Sequence, residues 1–100
     1  MNTPTTCPVQ SYRKKFVIDE VERCVKQIDN IFNKFVVAAD KHTRELERMN
    51  AYAAYRAGFS ITMTANACGV ISHDEYVTLE RILYSAYFVK FYQTKSPVSA

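Results

Sequence analysis

Val17 to Phe35 reads VIDEVERCVKQIDNIFNKF, and within it Val17, Val21, Cys24, Ile28, Ile31 and Phe35 are separated by alternating steps of four and three. That rhythm puts the six side chains on one stripe of an α-helix. The stripe sits inside a longer run, Val9 to Ala57, that contains neither glycine nor proline. Val25, Phe32 and Val36 widen it beyond a two-stranded seam, as suits a helix covered by other helices in a globular bundle. Asp19 with Arg23 and Glu22 with Lys26 supply i,i+4 pairs on the polar side, acid before base.

Outward from that stripe, Ser11 reads as the N-cap of a first helix over residues 11–39. Arg13, Lys14 and Lys15 stand in its first turn, where cations oppose the helix dipole. A cationic cluster so placed suits an acidic partner. The only break before Gly58 falls at Asp40, and two readings stand. Asp40 caps a second helix, or the helix continues through Ala39, His42, Leu46, Met49 and Ala53 with Asp40 paired to Arg44. Continuity would make a helix of about 47 residues and about 70 Å. A chain of 100 residues covers that length only as an oligomer.

The second helix, 41–68, is rich in small residues. Ala54 and Gly58, four apart, permit close approach of another helix, and the β-branched residues Ile61, Thr62 and Thr64 point to a kink near Gly58. Gly69 is placed to end this helix in the left-handed conformation. Ser72-His73-Asp74-Glu75 is a capping box that opens a last helix, 72–93. The expected fold is therefore all-α, a small antiparallel bundle of three main helices. Residues 1–10 read as a flexible arm, 11–95 as one helical domain and 96–100 as a polar tail.

Composition narrows the function. With 48% hydrophobic and 23% charged residues the chain is an ordinary globular domain. A net charge of +3 is too small to announce nucleic acid by itself. The three cysteines, an odd number at irregular spacing, argue against a disulfide framework and for a reducing compartment. The first residues lack the apolar run of a signal peptide, and Ile82–Tyr92, interrupted by Ser85 and Lys90, is too short to span a membrane. The expectation is a cytoplasmic protein with no membrane association.

Chemistry-bearing constellations are weak. Ser72, His73 and Asp74 have the residue types of a hydrolase triad, yet a triad is assembled from distant positions, and the capping box accounts for Ser72 and Asp74. No metal-ligand spacing joins His42, His73 and the cysteines, and no cofactor motif is present. Ala65 to Val70 followed by a capped helix has the outline of a helix-turn-helix. Its turn is one residue too long, and the second helix opens with Asp74 and Glu75, where phosphates call for cations. A nucleic-acid-binding regulator using Arg13, Lys14 and Lys15 is thus the alternative reading.

The last helix carries the preferred one. Tyr76, Leu79, Leu83, Tyr87 and Phe91 form its main face, Phe88 and Tyr92 extend one flank, and Ile82, Ala86 and Val89 occupy the other. A helix apolar nearly all round is either the central core helix or an interface. The expected function is non-enzymatic: a small helical adaptor, regulator or inhibitor that binds a protein and pairs as a homodimer. Tyr52, Tyr55, Tyr84, Phe88, Phe91 and Tyr92 are the expected contact residues.

Overall fold

The computed structural model describes residues 8–93, with side-chain environments from residue 12 to residue 92. Residues 1–7 of the expected arm and the whole polar tail lie outside the described residues. Three helices follow in order: α1 Pro8–Val37, α2 Lys41–Ala67 and α3 His73–Tyr84. The chain continues from α3 as a π-helical segment, Ser85–Gln93. No strand occurs among the described residues.

The helix boundaries follow from local chemistry. Pro8 starts α1, one turn earlier than Ser11 suggested. A proline fits there because its missing N–H is one of the donors a first turn leaves unused, and its φ is preset for helix. The chain leaves helix after Val37 and Asp40 caps α2. Its carboxylate accepts from the Thr43 backbone N–H at 2.8 Å and the Thr43 hydroxyl at 2.9 Å. Those two donors hold the Asp40 carboxyl below its ordinary range. The discontinuous reading is therefore the observed one, and it resets the helical phase. His42, Leu46, Met49 and Ala53, which a continuous helix would have carried on the stripe, are all exposed.

The α2–α3 connection is a Schellman turn. Gly69 takes φ +76°, its N–H donates to the Asn66 carbonyl at 3.1 Å, and the Val70 N–H donates to the Ala65 carbonyl at 2.9 Å. This is the double closure that a left-handed glycine just past a helix end permits. The capping box then forms in full: Glu75 N–H donates to Ser72 Oγ at 3.1 Å, and Ser72 N–H donates to Glu75 Oε1 at 2.7 Å. The other oxygen of Glu75 meets Lys14 Nζ at 2.9 Å, fastening the start of α3 to the start of α1. The Ser72 N–H and the Lys14 ammonium both hold this carboxyl below its ordinary range.

Val17, Val21, Cys24, Ile28, Ile31 and Phe35 are all buried, so the α1 stripe is the core stripe. α2 answers with small residues, Ala51, Ala54, Gly58, Thr62 and Ala65, together with Tyr55. Gly58 marks a close approach. A Cβ built there would lie 2.8 Å from Leu83 Cδ2 and 3.2 Å from Cys24 Cβ. All three helices converge on that one backbone atom. α2 is helical without interruption through this point, and the fully buried Thr62 hydroxyl donates to the Gly58 carbonyl at 2.8 Å. The glycine serves close packing.

At the other end of the bundle the core is aromatic. Phe91 packs on Phe32 and Phe35, with ring centroids 5.1 and 5.0 Å apart. This seats the π segment near the end of α1 while Glu75 sits near its start. α3 therefore runs parallel to α1 and antiparallel to α2. The buried residues Leu79, Leu83, Tyr87 and Phe91 recur at a strict step of four. In an α-helix each such step overshoots a full turn by about 40°, so Phe91 would leave the core. The wider i→i+5 turns undershoot where the α-helix overshoots, and so hold Tyr87 and Phe91 inward.

Gly58→Ala discriminates packing from propensity. Helix propensity alone favours alanine by about 1 kcal/mol, whereas overpacking against Leu83 and Cys24 costs about 1–3 kcal/mol. We expect a net loss in chemical denaturation, with Leu83→Ala cushioning it in a double-mutant cycle. A stabilised Gly58→Ala variant would contradict the convergence.

Candidate interaction surfaces

The aromatic end of the core reaches solvent as a row of rings. Tyr84, Phe88 and Tyr92 stand four apart, and neighbouring rings stack, with centroids at 4.8 Å for Tyr84–Phe88 and 5.7 Å for Phe88–Tyr92. Tyr84 is 49% and Tyr92 56% exposed, while Phe88 is half-buried. α2 contributes Tyr52, also exposed, which lies 5.5 Å from the Tyr87 ring. Tyr55 packs edge-on against Phe88 at 5.2 Å and backs the row from beneath. The row is therefore anchored in the core through Phe88 and Tyr92, which limits the entropy its rings lose when a partner covers them.

Four of the six expected contact residues share this surface: Tyr52, Tyr84, Phe88 and Tyr92. The other two do not present a surface. Phe91 is buried because it belongs to the step-of-four stripe and fills the space between Phe32 and Phe35. Tyr55 is buried because it lies on the face of α2 that meets the last helix, stacked on Tyr87 at 5.5 Å. Of the opposite flank, Ile82 and Val89 are exposed and Ala86 is buried.

Charges border the row. The Arg48 guanidinium lies over Phe35 at 5.4 Å and over Tyr92 at 5.2 Å, and pairs with Glu45 at 2.8 Å. Lys90 pairs with Asp29 and stands 5.7 Å from the Phe32 ring centroid. The Tyr87 and Tyr92 hydroxyls lie 3.2 Å apart. Burial raises the Tyr87 phenol above its ordinary value of 10.0, and the hydrogen bond to Tyr92 adds to the rise. Burial also raises Tyr55.

The basic residues of the first turns are not a free cationic patch. Lys14 is engaged by Glu75 and Lys15 by Asp19, at 2.9 and 2.8 Å. Arg13 makes no ion pair among the described residues. The helix-turn-helix outline resolves into an antiparallel hairpin of α2 and α3, whereas the DNA-binding motif crosses its helices at about 90–120°. Ser72 and Glu75 are spent on the cap, and His73 is exposed against the Tyr76 ring at 5.9 Å. Among the described residues no three His, Cys, Asp or Glu side chains converge as a metal site would require. Cys24 is buried and Cys68 exposed, both as free thiols. Burial raises the Cys24 thiol, which keeps it protonated and inert.

A second apolar surface was not anticipated from the sequence. Tyr12 and Phe16, one turn apart at the start of α1, are 79% and 60% exposed. They border a groove of about 730 Å³ that is also lined by Ile61, Thr64 and Ala65 of α2 and by Val70. The available signal was their step of four, off the core stripe.

An alkaline spectrophotometric titration tests the buried rings. Of the seven tyrosines, Tyr55 and Tyr87 should ionise after the ordinary range, and Tyr87→Phe should remove the later part. Stability contributed by a raised phenol is complete below its unfolded-state value and is lost as pH rises towards the folded-state value. Melts should therefore weaken progressively above about pH 10. Uniform titration of all seven near 10 would contradict the burial.

The chain matches no protein-family model, no curated protein and no solved structure.

Proposed function

We propose that this chain is a non-enzymatic protein-binding module, a small helical adaptor, regulator or inhibitor. Its contact surface is the ring row Tyr84–Phe88–Tyr92 with Tyr52. One observation carries the reading: large rings, stacked on one another and rooted in the core, stand about half exposed side by side. Tyrosine and phenylalanine are enriched where protein surfaces associate, and rigid anchored rings make the strongest contacts. The half-burial of Phe88 between two exposed tyrosines gives the row an apolar centre with hydroxyls at its edges. That arrangement suits an apolar helix or strand of a partner flanked by hydrogen-bonding groups.

The nucleic-acid reading has less support, because Lys14 and Lys15 are already paired and the helix after the turn opens with Asp74 and Glu75. No helix among the described residues is long and apolar enough to cross a membrane. We place the protein in the cytoplasm on its cysteine usage.

A paired substitution tests the proposal. Tyr84→Ser with Tyr92→Ser should cost a modest part of the stability, because Tyr92 gives up its hydroxyl contact with Tyr87 and its ring contact with Arg48, and circular dichroism checks that the chain remains folded. Affinity capture from the native host, read by mass spectrometry against the unsubstituted chain, should lose a discrete set of co-eluting proteins. Identical capture by both chains would contradict the assignment. So would salt-sensitive binding of a nonspecific duplex, which marks phosphate contacts.

A further inference from the structure

We propose that the start of α1 is a contact between two copies of this chain, with the two α1 helices antiparallel about a two-fold axis beside Phe16. Tyr12 and Phe16 expose more of their surface than any ring of the Tyr84–Phe88–Tyr92 row, and the groove beside them is apolar. The charges on this face select the occupant. Arg13, Phe16 and Glu20 follow one another at steps of three and four and share one side of α1. Arg13 stands on one side of Phe16 without an ion pair among the described residues. Glu20 stands on the other and uses only Oε1, which accepts both Arg23 bonds at 3.1 and 2.9 Å. Arg13 is therefore in want of an acid and Glu20 has an oxygen to spare.

A two-fold interface must be complementary to itself, because each patch meets its own copy. An antiparallel pair of α1 helices centred beside Phe16 meets that condition. Arg13 of each copy faces Glu20 of the other, and the Phe16 rings meet between the two ion pairs. Phe16 of one copy lies at the groove edge of the other, beside Val17. A parallel pair would place Arg13 against Arg13. The two rings cover about 300 Å² per copy from their exposure, short of the roughly 800 Å² per partner of a standard interface. The groove walls add to this without making up the difference, so the contact stays below standard size and the dimer is a weak one that dissociates at concentrations on the order of micromolar or above. This contact is separate from the ring row and does not rest on the function proposed for it.

Sedimentation equilibrium of the full chain tests it by charge reversal. The unsubstituted chain should be dimeric at about 500 μM and dissociate on dilution. Arg13→Glu alone and Glu20→Arg alone should each weaken the dimer by about tenfold or more, because each places like charges opposite one another twice. An equimolar mixture of the two variants should recover it, since every contact across the mixed pair is again Glu against Arg. The two changes in one chain should recover it too. Circular dichroism of each variant confirms that the monomer remains folded. A monomer at about 500 μM, single reversals without effect, or a mixture that stays monomeric would each overturn the proposal.

Discussion

Gly58 has no side chain, and the meeting of three helices depends on that. Cys24 of α1 and Leu83 of α3 approach the same point on α2 so closely that a single methyl group would collide with Leu83 and crowd Cys24. Helix axes come this near only over small residues, and α2 supplies them before and after Gly58 with Ala51, Ala54, Thr62 and Ala65. The β-branched Thr62 is tolerated there because its hydroxyl is satisfied by the Gly58 carbonyl, so a fully buried polar group carries no unmet bond. The convergence is thus a constraint on composition: one stripe of branched apolar residues, one stripe of small ones, and a leucine between them.

The rest of the architecture follows from closing the bundle at that place. With the small residues spent there, the far end is filled by large rings, Phe32, Phe35, Tyr55, Tyr87 and Phe91. Keeping Tyr87 and Phe91 inward demands the wider pitch after Tyr84. Rings that do not fit beneath α2 emerge in a row on one side. A feature of packing thereby generates the surface to which a partner is assigned. At the opposite end α1 begins six residues before the Lys14–Glu75 tie, and Tyr12 and Phe16 stand beside that tie largely uncovered by α3.

Much of this was legible in the sequence, and the parts that were not have identifiable causes. The α1 stripe, the capping box at Ser72 and the glycine cap at Gly69 are local patterns, each with one dominant physical solution. The break at Asp40 was balanced because neither glycine nor proline marks it. The deciding bonds from Thr43 compete with an equally reasonable Asp40–Arg44 pair. Phe91 was assigned to the contact surface although it lies on the main face of the last helix. A step of four drifts off an α-helical face, and only the change of pitch keeps that residue inside. Tyr12 and Phe16 carry only a weak local signal, a step of four off the core stripe, because their exposure depends on where α3 starts relative to α1, a tertiary fact.

Native-state hydrogen exchange read residue by residue tests the central place of the Gly58 convergence most directly. Amides open at rates that report the stability of the contacts around them. The slowest should lie together in the middle of α1 and α2 and where α3 passes into the π segment, around Cys24 to Ile28, Gly58 to Thr62 and Leu83. Exchange should quicken towards the Ala38–Asp40 break and the ends. If α3 and the π segment exchanged like a free peptide while α1 and α2 stayed protected, the hairpin alone would carry the fold, and a three-helix convergence on Gly58 would be contradicted.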